Sequence, residues 1–171
     1  MALEICDIAE AAHVEPIHER RLVEAFPNAY LAALMDEGDF TSLSRNASDV
    51  FWRRLCDSGA LVSLWNQLLP GRALSPAFDR LTDHEERAGT VCALTALGVV
   101  RGSYVAVGDT LCGDIILPPL AAWGTGSGRE PWLKAVLEGA ALRLRRPHER
   151  RRGFREARMY YGDGAPPHGA T

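Results

Sequence analysis

The sequence predicts an α/β fold, and three stretches lead to this prediction. Residues 82–119 read as a capped helix followed by two short apolar strands joined by a turn. Residues 50–69 carry apolar side chains at helical spacing and read as two consecutive helices. Residues 20–26 alternate in polarity and read as a further strand. Strands that alternate with helices in this way are typical of α/β domains.

The length and composition of the chain fit one globular domain. The chain has 171 residues, of which 47% are hydrophobic, so it can bury a core of its own. No apolar run approaches the roughly 20 residues of a membrane span, so we expect no membrane partner. The acidic N-terminus does not resemble a signal peptide, and the four cysteines include no CxxC pair. We therefore expect a reduced, cytoplasmic setting.

The first strand and its surroundings can be assigned from local signals. Pro27 ends the strand, and Asn28 is predicted to cap a helix over residues 29–35. A polar turn at residues 36–39 and a polar link at residues 41–46 should follow. The two helices after the link begin at a cap formed by Ser48 or Asp49, change over at Gly59, and stop before Pro70. Their apolar stripe predicts core positions at Phe51, Leu55, Leu61, Leu64, Trp65 and Leu68.

The stretch at residues 82–119 carries the clearest structural signals. Thr82 and Glu85 fit a capping box at the start of a helix that should run to about Arg101. Its body is apolar nearly all round, so we expect burial between layers, with Cys92 as a small core residue. Gly89 and Gly98 each cost about 1 kcal/mol in a helix relative to alanine, which suggests a close neighbour. A hairpin of residues 104–107 and 114–117 follows.

The C-terminal part divides into a last helix and a tail. The helix starts at Pro131, where proline suits the first turn. Residues 1–145 are predicted to form the domain, and residues 146–171, basic first and rich in proline and glycine last, a disordered tail. The end of the helix and the tail contain an arginine-rich segment at residues 143–158, while the formal net charge of the whole chain is -3.

Carboxylates are the best candidates for chemistry. The chain contains no GxSxG or HExxH motif, and His13 and His18 are wrongly spaced for a helical metal site. Glu24 shares a strand face with large apolar residues, which is costly unless the carboxylate is paired or bound to a metal. Glu85 and Glu86 stand in the first turn of the later helix. Converging carboxylates can hold Mg²⁺ or Mn²⁺.

Each of these observations also has a simpler interpretation. Glu24 can point into water from an edge strand, or form a salt bridge with Arg20 or Arg21. Acidic residues at a helix N-terminus are favoured by the helix dipole without any metal. The spacing of the residues does not decide between these alternatives.

Four stretches together resemble domain of unknown function family 429, a family of predicted nucleases with a ribonuclease-H-like fold. They are RRLVEAFPNAYLAALM, the helix pair from SDVFWRRL to LLPG, DHEERAGTVCALTAL, and the hairpin YVAVGD with GDIILPP. The resemblance covers about residues 18–125. It implies a partial ribonuclease-H-like fold that contains the C-terminal portion of the sheet with its flanking helices.

The resemblance also implies a site. It places one metal-binding acid at Glu24 and others at Glu85 or Glu86, with His84 beside them as a proton shuttle or substrate contact. The family's first strands and their central aspartate are missing from this chain, and Asp7 is no convincing substitute. Arg87 or Ala88 stands where the late helix often has an aspartate. A truncated member would leave a sheet edge open, which favours a homodimer.

Two functions follow as expectations. The first is a nuclease that hydrolyses phosphodiesters with Mg²⁺ or Mn²⁺, inactive if the missing acid is essential. Nucleic acid would then be the partner, with phosphate contacts from the basic segment, at Arg145, Arg146, Arg150, Arg151 and Arg152. The alternative for that segment is a solvated tail. The second function is a degenerate, non-enzymatic interaction or binding module.

Overall fold

The structure is a computed structural model that describes residues 23–43, 48–109, 113–139 and 160–161. It is a mixed α/β structure, which confirms the predicted class at this level. The helices are α1 (Pro27–Leu34), α2 (Glu37–Ser42), α3 (Ser48–Asp57), α4 (Ala60–Leu68), α5 (His84–Val100) and α6 (132–139). The strands are β1 (Glu24–Ala25), β2 (Val105–Asp109), β3 (Gly113–Leu117) and β4 (Tyr160–Tyr161).

The sheet has the strand order β1-β3-β2-β4. The predicted hairpin is confirmed, because β2 and β3 pair antiparallel with Val105 opposite Leu117. β1 pairs parallel with β3, so the helices between them form the crossover that a parallel pair requires. β1 ends the sheet in the described part of the chain. The homodimer through an open edge stays a prediction.

Both faces of the hairpin formed by β2 and β3 are buried. Val105 and Val107 pack on one face in a cluster with Ala33 and Trp123, against which Leu133 and Leu137 are packed. Ala106 and Ile116 lie on the other face with Tyr104 and the partly buried Val23 and Val99. This arrangement fits the continuous apolar sequence of the strands, because a strand covered on both sides need not alternate with polar residues.

A second and larger core lies among the helices. Its buried members are Tyr30, Leu31, Leu34, Met35, Phe51, Trp52, Leu55, Leu61, Leu64, Leu68, Phe78, Val91 and Leu94. The apolar stripe predicted for α3 and α4 is confirmed, with Trp65 partly buried at its border. Gly59 joins the two helices at φ 75°, a left-handed conformation that glycine adopts without steric cost. The indole nitrogen of Trp52 donates to the Phe78 carbonyl at 3.1 Å.

Two local predictions near the N-terminal helices are wrong. Helix α1 begins at Pro27, and Phe26 is its N-cap without a side-chain hydrogen bond, so Asn28 lies inside the first turn. Helix α2 occupies most of the region predicted as a polar turn and link. Tertiary contacts hold it: Arg54 donates to both carboxylate oxygens of Asp39, at 2.7 and 2.8 Å, and Phe40 packs against Phe51 and Trp132.

Helix α5 differs from its prediction in cap and burial. Asp83, rather than Thr82, is the N-cap, and its carboxylate accepts from the backbone amides of Glu85 and Glu86. The C-terminal end is as predicted, with Gly102 at φ 63° just beyond Arg101. The prediction of burial all round is wrong, and so is that of Cys92 in the core, because Cys92 is exposed. Only one side of α5, carrying Val91, Leu94, Thr95 and Gly98, is buried.

The C-terminal region is described only in part. Strand β4 pairs with β2 and lies within the predicted tail. The other residues of the tail, with Arg145, Arg146, Arg150, Arg151 and Arg152, lie outside the described residues, as do Asp7, His13 and His18. The domain boundary at residue 145 stays a prediction. Among the described helices, none is long and apolar enough to cross a membrane.

Candidate functional site

Glu24 is the first residue of β1 and is exposed. This placement matches the alternative in which the carboxylate points into water from an edge of the sheet. Its two candidate partners, Arg20 and Arg21, lie outside the described residues. The large apolar neighbour Phe26 is itself 37% exposed, so this strand face is not a buried one.

His84, Glu85 and Glu86 occupy the first turn of α5, and all three are exposed. Strand β1 contacts α5, so Glu24 and these residues lie on neighbouring elements. The described part of the chain nevertheless contains no group of three His, Cys, Asp or Glu side chains that could hold a metal ion. The Mg²⁺ or Mn²⁺ expected at Glu24, Glu85 and Glu86 stays a prediction.

The structure brings His84 together with two residues that the sequence did not single out as a site. Asp49, in the first turn of α3, accepts a hydrogen bond from Nη1 of Arg87 at 2.7 Å. Nδ1 of His84 lies 3.4 Å from the same oxygen of Asp49. We call these three residues, Asp49, His84 and Arg87, the triad. It connects the beginnings of α3 and α5.

Arg87 is the anchored member of the triad. Its side chain is 15% exposed, and its Nε also donates to the Leu81 carbonyl at 2.8 Å. The hydrogen bond from Arg87, followed by that from His84, holds the pKa of the Asp49 carboxyl below its usual value. Asp49 is therefore ionised at neutral pH, and Arg87 balances its charge.

The triad forms one wall of a small cleft with a volume of about 150 Å³. The first turns of α1, α3 and α5 meet there. Its polar lining residues are Asn28, Ser48 and the triad, and its apolar lining residues are Phe26, Pro27, Leu31, Ala88 and Val91. We call it the triad cleft. It combines an exposed aromatic ring with donors and an acceptor of hydrogen bonds.

Sequence reasoning missed this site for a physical reason. Asp49 has the local pattern of a helix cap, and 38 residues separate it from Arg87. Arg87 entered the sequence analysis only as a departure from the family pattern. The one available signal was a cationic side chain that directly follows the acidic first turn and precedes the apolar body of the helix, and this does not specify a partner.

Comparison of the chain with profiles of protein families, with curated proteins and with solved structures found no match. The resemblance to domain of unknown function family 429 therefore stays an expectation from the sequence. The ribonuclease-H-like fold and the nuclease activity that it implies stay predictions as well.

Proposed function

We propose that this protein is a binding module for single-stranded nucleic acid that takes one unpaired base into the triad cleft. The observation that carries the proposal is the meeting of an exposed aromatic ring, Phe26, with the hydrogen-bonding triad across one small cleft. Proteins read unpaired bases by stacking them on aromatic side chains and by hydrogen bonds to their edges.

The size and lining of the cleft favour a single planar group. Sites for drug-sized ligands have volumes of roughly 300–1,000 Å³, whereas this cleft has about 150 Å³. Phe26, with the half-buried Pro27 and Ala88, offers an apolar surface for the face of a ring. Asp49 offers an acceptor, while Arg87 and His84 offer donors, to the polar edge of that ring.

The charges around the cleft favour a neutral base over a phosphate at this position. Asp49 and Arg87 neutralise each other at 2.7 Å, so the cleft has no excess of positive charge. Glu85 and Glu86 stand exposed close to it in sequence, and they would repel a phosphate. The phosphates of a strand would instead be held by the arginine-rich segment at residues 143–158, as the sequence predicts.

Fluorescence anisotropy with a labelled single strand of about 12 nucleotides tests the proposal. Stacking of a base on an aromatic ring contributes about 1–3 kcal/mol, so Phe26→Ala should weaken binding roughly tenfold. Val100→Ala is the matched control, because Val100 is 70% exposed and does not line the triad cleft. It should bind like the parent.

Two results would overturn the proposal. One is a Phe26→Ala variant that is folded by circular dichroism and binds the strand as tightly as the parent. The other is equal binding of the single strand and of the matching duplex, because a paired base cannot enter the cleft without being extruded.

A divalent-metal-dependent nuclease is the second candidate. The contact between β1 and α5, which carry Glu24 and the acids of the first turn, favours it. The described residues do not complete a metal site, so no catalytic step is assigned to them. Incubation of the labelled single strand with Mn²⁺ tests this function, with Glu24→Gln beside the parent. Cleavage by the parent that is lost in the variant would support it, whereas equal cleavage by both would remove Glu24 from the mechanism.

A further inference from the structure

A second and larger cleft lies apart from the triad cleft. Its volume is about 420 Å³, within the range of small-molecule sites. It is formed by the C-terminal end of α3, by α4, and by the segment that leads to the 3₁₀ turn Phe78–Arg80. None of its residues lines the triad cleft.

The aromatic wall of this cleft is Trp65, which the buried Phe78 and a hydrogen bond hold in place. Trp65 and Phe78 meet edge to face, with ring centroids 6.4 Å apart at 79°. The indole nitrogen of Trp65 donates to the Arg72 carbonyl at 2.7 Å and so connects α4 to the segment 72–74, which also lines the cleft. Val62, half exposed on α4, and Leu74 add apolar surface. An apolar ligand body would therefore meet a preformed surface.

The rim of the cleft carries negative charge. Asp57 and Asp79 both line it and are exposed, against one guanidinium from Arg72. Asp57 is the last residue of α3, where the helix dipole adds negative potential. The same two aspartates act on Cys56: burial raises the pKa of its thiol, and Asp79 and Asp57 raise it further, while Arg87 acts in the opposite direction. The thiol thus stays protonated and serves as part of the wall.

We infer that this cleft binds a small organic cation with an apolar body, such as an amine that carries an aromatic ring. The ammonium group would lie near Asp57 and Asp79, and it could approach the face of Trp65, the aromatic side chain that attracts cations best. The apolar body would cover Val62, Leu74 and the aromatic wall. The site is independent of the nucleic-acid binding proposed above.

Isothermal titration calorimetry with phenethylamine, and with its uncharged analogue 2-phenylethanol, tests the inference. The amine should bind at least tenfold more tightly than the alcohol, because only the amine carries the charge. The double variant Asp57→Asn with Asp79→Asn should weaken amine binding about tenfold and leave alcohol binding unchanged. Val62→Trp, which fills the cleft from an exposed position, should weaken the binding of both.

The matched control is the double variant Glu85→Gln with Glu86→Gln. It removes the same formal charge from exposed positions outside this cleft and should bind the amine like the parent. Circular dichroism checks that every variant is folded. Equal affinity for amine and alcohol would overturn the inference. So would unchanged amine binding in the Asp57 and Asp79 double variant, or an equal loss in the control.

Discussion

At the scale of single residues, Asp49 is the link between α3 and α5. Its Oδ1 accepts from Arg87 and lies within hydrogen-bonding distance of His84, and both contacts favour the carboxylate over the acid. The pKa of Asp49 is therefore lower in the folded protein than in the unfolded chain, with Arg87 as the main cause. A depressed pKa stabilises the fold above the unfolded value, and this contribution is lost as the pH falls through the folded value.

This pKa shift predicts a stability difference that depends on pH. At pH 7, Asp49→Asn should lower the free energy of unfolding, because the uncharged amide cannot make an ion pair with Arg87. At a pH below the lowered pKa of Asp49, parent and variant should be nearly equally stable, since the parent carboxyl is then uncharged as well. Urea unfolding at both pH values measures the difference. A gap that stays constant down to low pH would show that the ion pair does not cause it.

Single residues of the candidate site also show how much of it could be predicted from the sequence. The place of Glu85 and Glu86 in a first helical turn follows from local pattern, and the structure agrees with it. The exposed position of Glu24 is one of the alternatives that the local pattern left open. The pairing of Asp49 with Arg87 does not follow from it, because an aspartate at a helix start needs no partner to be explained. Contacts between distant helices depend on how the helices pack.

At the scale of elements, the two glycines of α5 lie in different surroundings, so they distinguish the low helix propensity of glycine from its role in close packing. A Cβ at Gly89 would meet nothing within 4 Å. A Cβ at Gly98 would lie 3.0 Å from the backbone oxygen of Ser103, whose amide in turn donates to the Gly98 carbonyl at 2.9 Å. The prediction of a close neighbour is thus confirmed for Gly98 and wrong for Gly89.

The two positions predict opposite outcomes for the same substitution. Gly89→Ala should stabilise the protein by about 1 kcal/mol, because alanine loses less backbone entropy in a helix and meets no obstacle. Gly98→Ala should show no such gain, and should destabilise if the backbone at Ser103 cannot move. Thermal unfolding of both variants beside the parent measures this. Equal stabilisation by Gly89→Ala and Gly98→Ala would mean that the backbone at Ser103 shifts without cost, and the close contact at Gly98 would then not constrain the helix.

Elements marked by local signals were predicted well, and those made by packing were not. The hairpin and the end of α5 beyond Arg101 depend on turn residues such as Gly102, which the sequence displays. Helix α2 depends on the contacts of Asp39 with Arg54 and of Phe40 with Phe51. These contacts join residues that are distant in the chain, and the sequence does not show them. The exposed side of α5, including Cys92, shows that a helix with a body that is apolar nearly all round can still lie at a surface.

At the scale of the whole molecule, helix α1 joins the two cores. Ala33 belongs to the cluster on one face of the sheet, while Tyr30, Leu31 and Leu34 belong to the helical core. Gly124 closes the same junction, because its amide donates to the Ala33 carbonyl at 2.8 Å and a Cβ there would overlap the backbone of Met35. Loss of the helical core should therefore remove a support of the sheet.

This connection predicts that the helices and the sheet unfold together. Leu64 is fully buried in the helical core, and Leu64→Ala should cost about 2–5 kcal/mol of unfolding free energy. Native-state hydrogen exchange should show the same loss of protection for the amides of β2 and β3 as for those of α4. Val62→Ala, at a half-exposed position on the same helix, should change the free energy of exchange of the strand amides and of the α4 amides by no more than about 0.5 kcal/mol. If the strand amides kept their protection in Leu64→Ala, the sheet would be a separate cooperative unit and α1 would not couple the two cores.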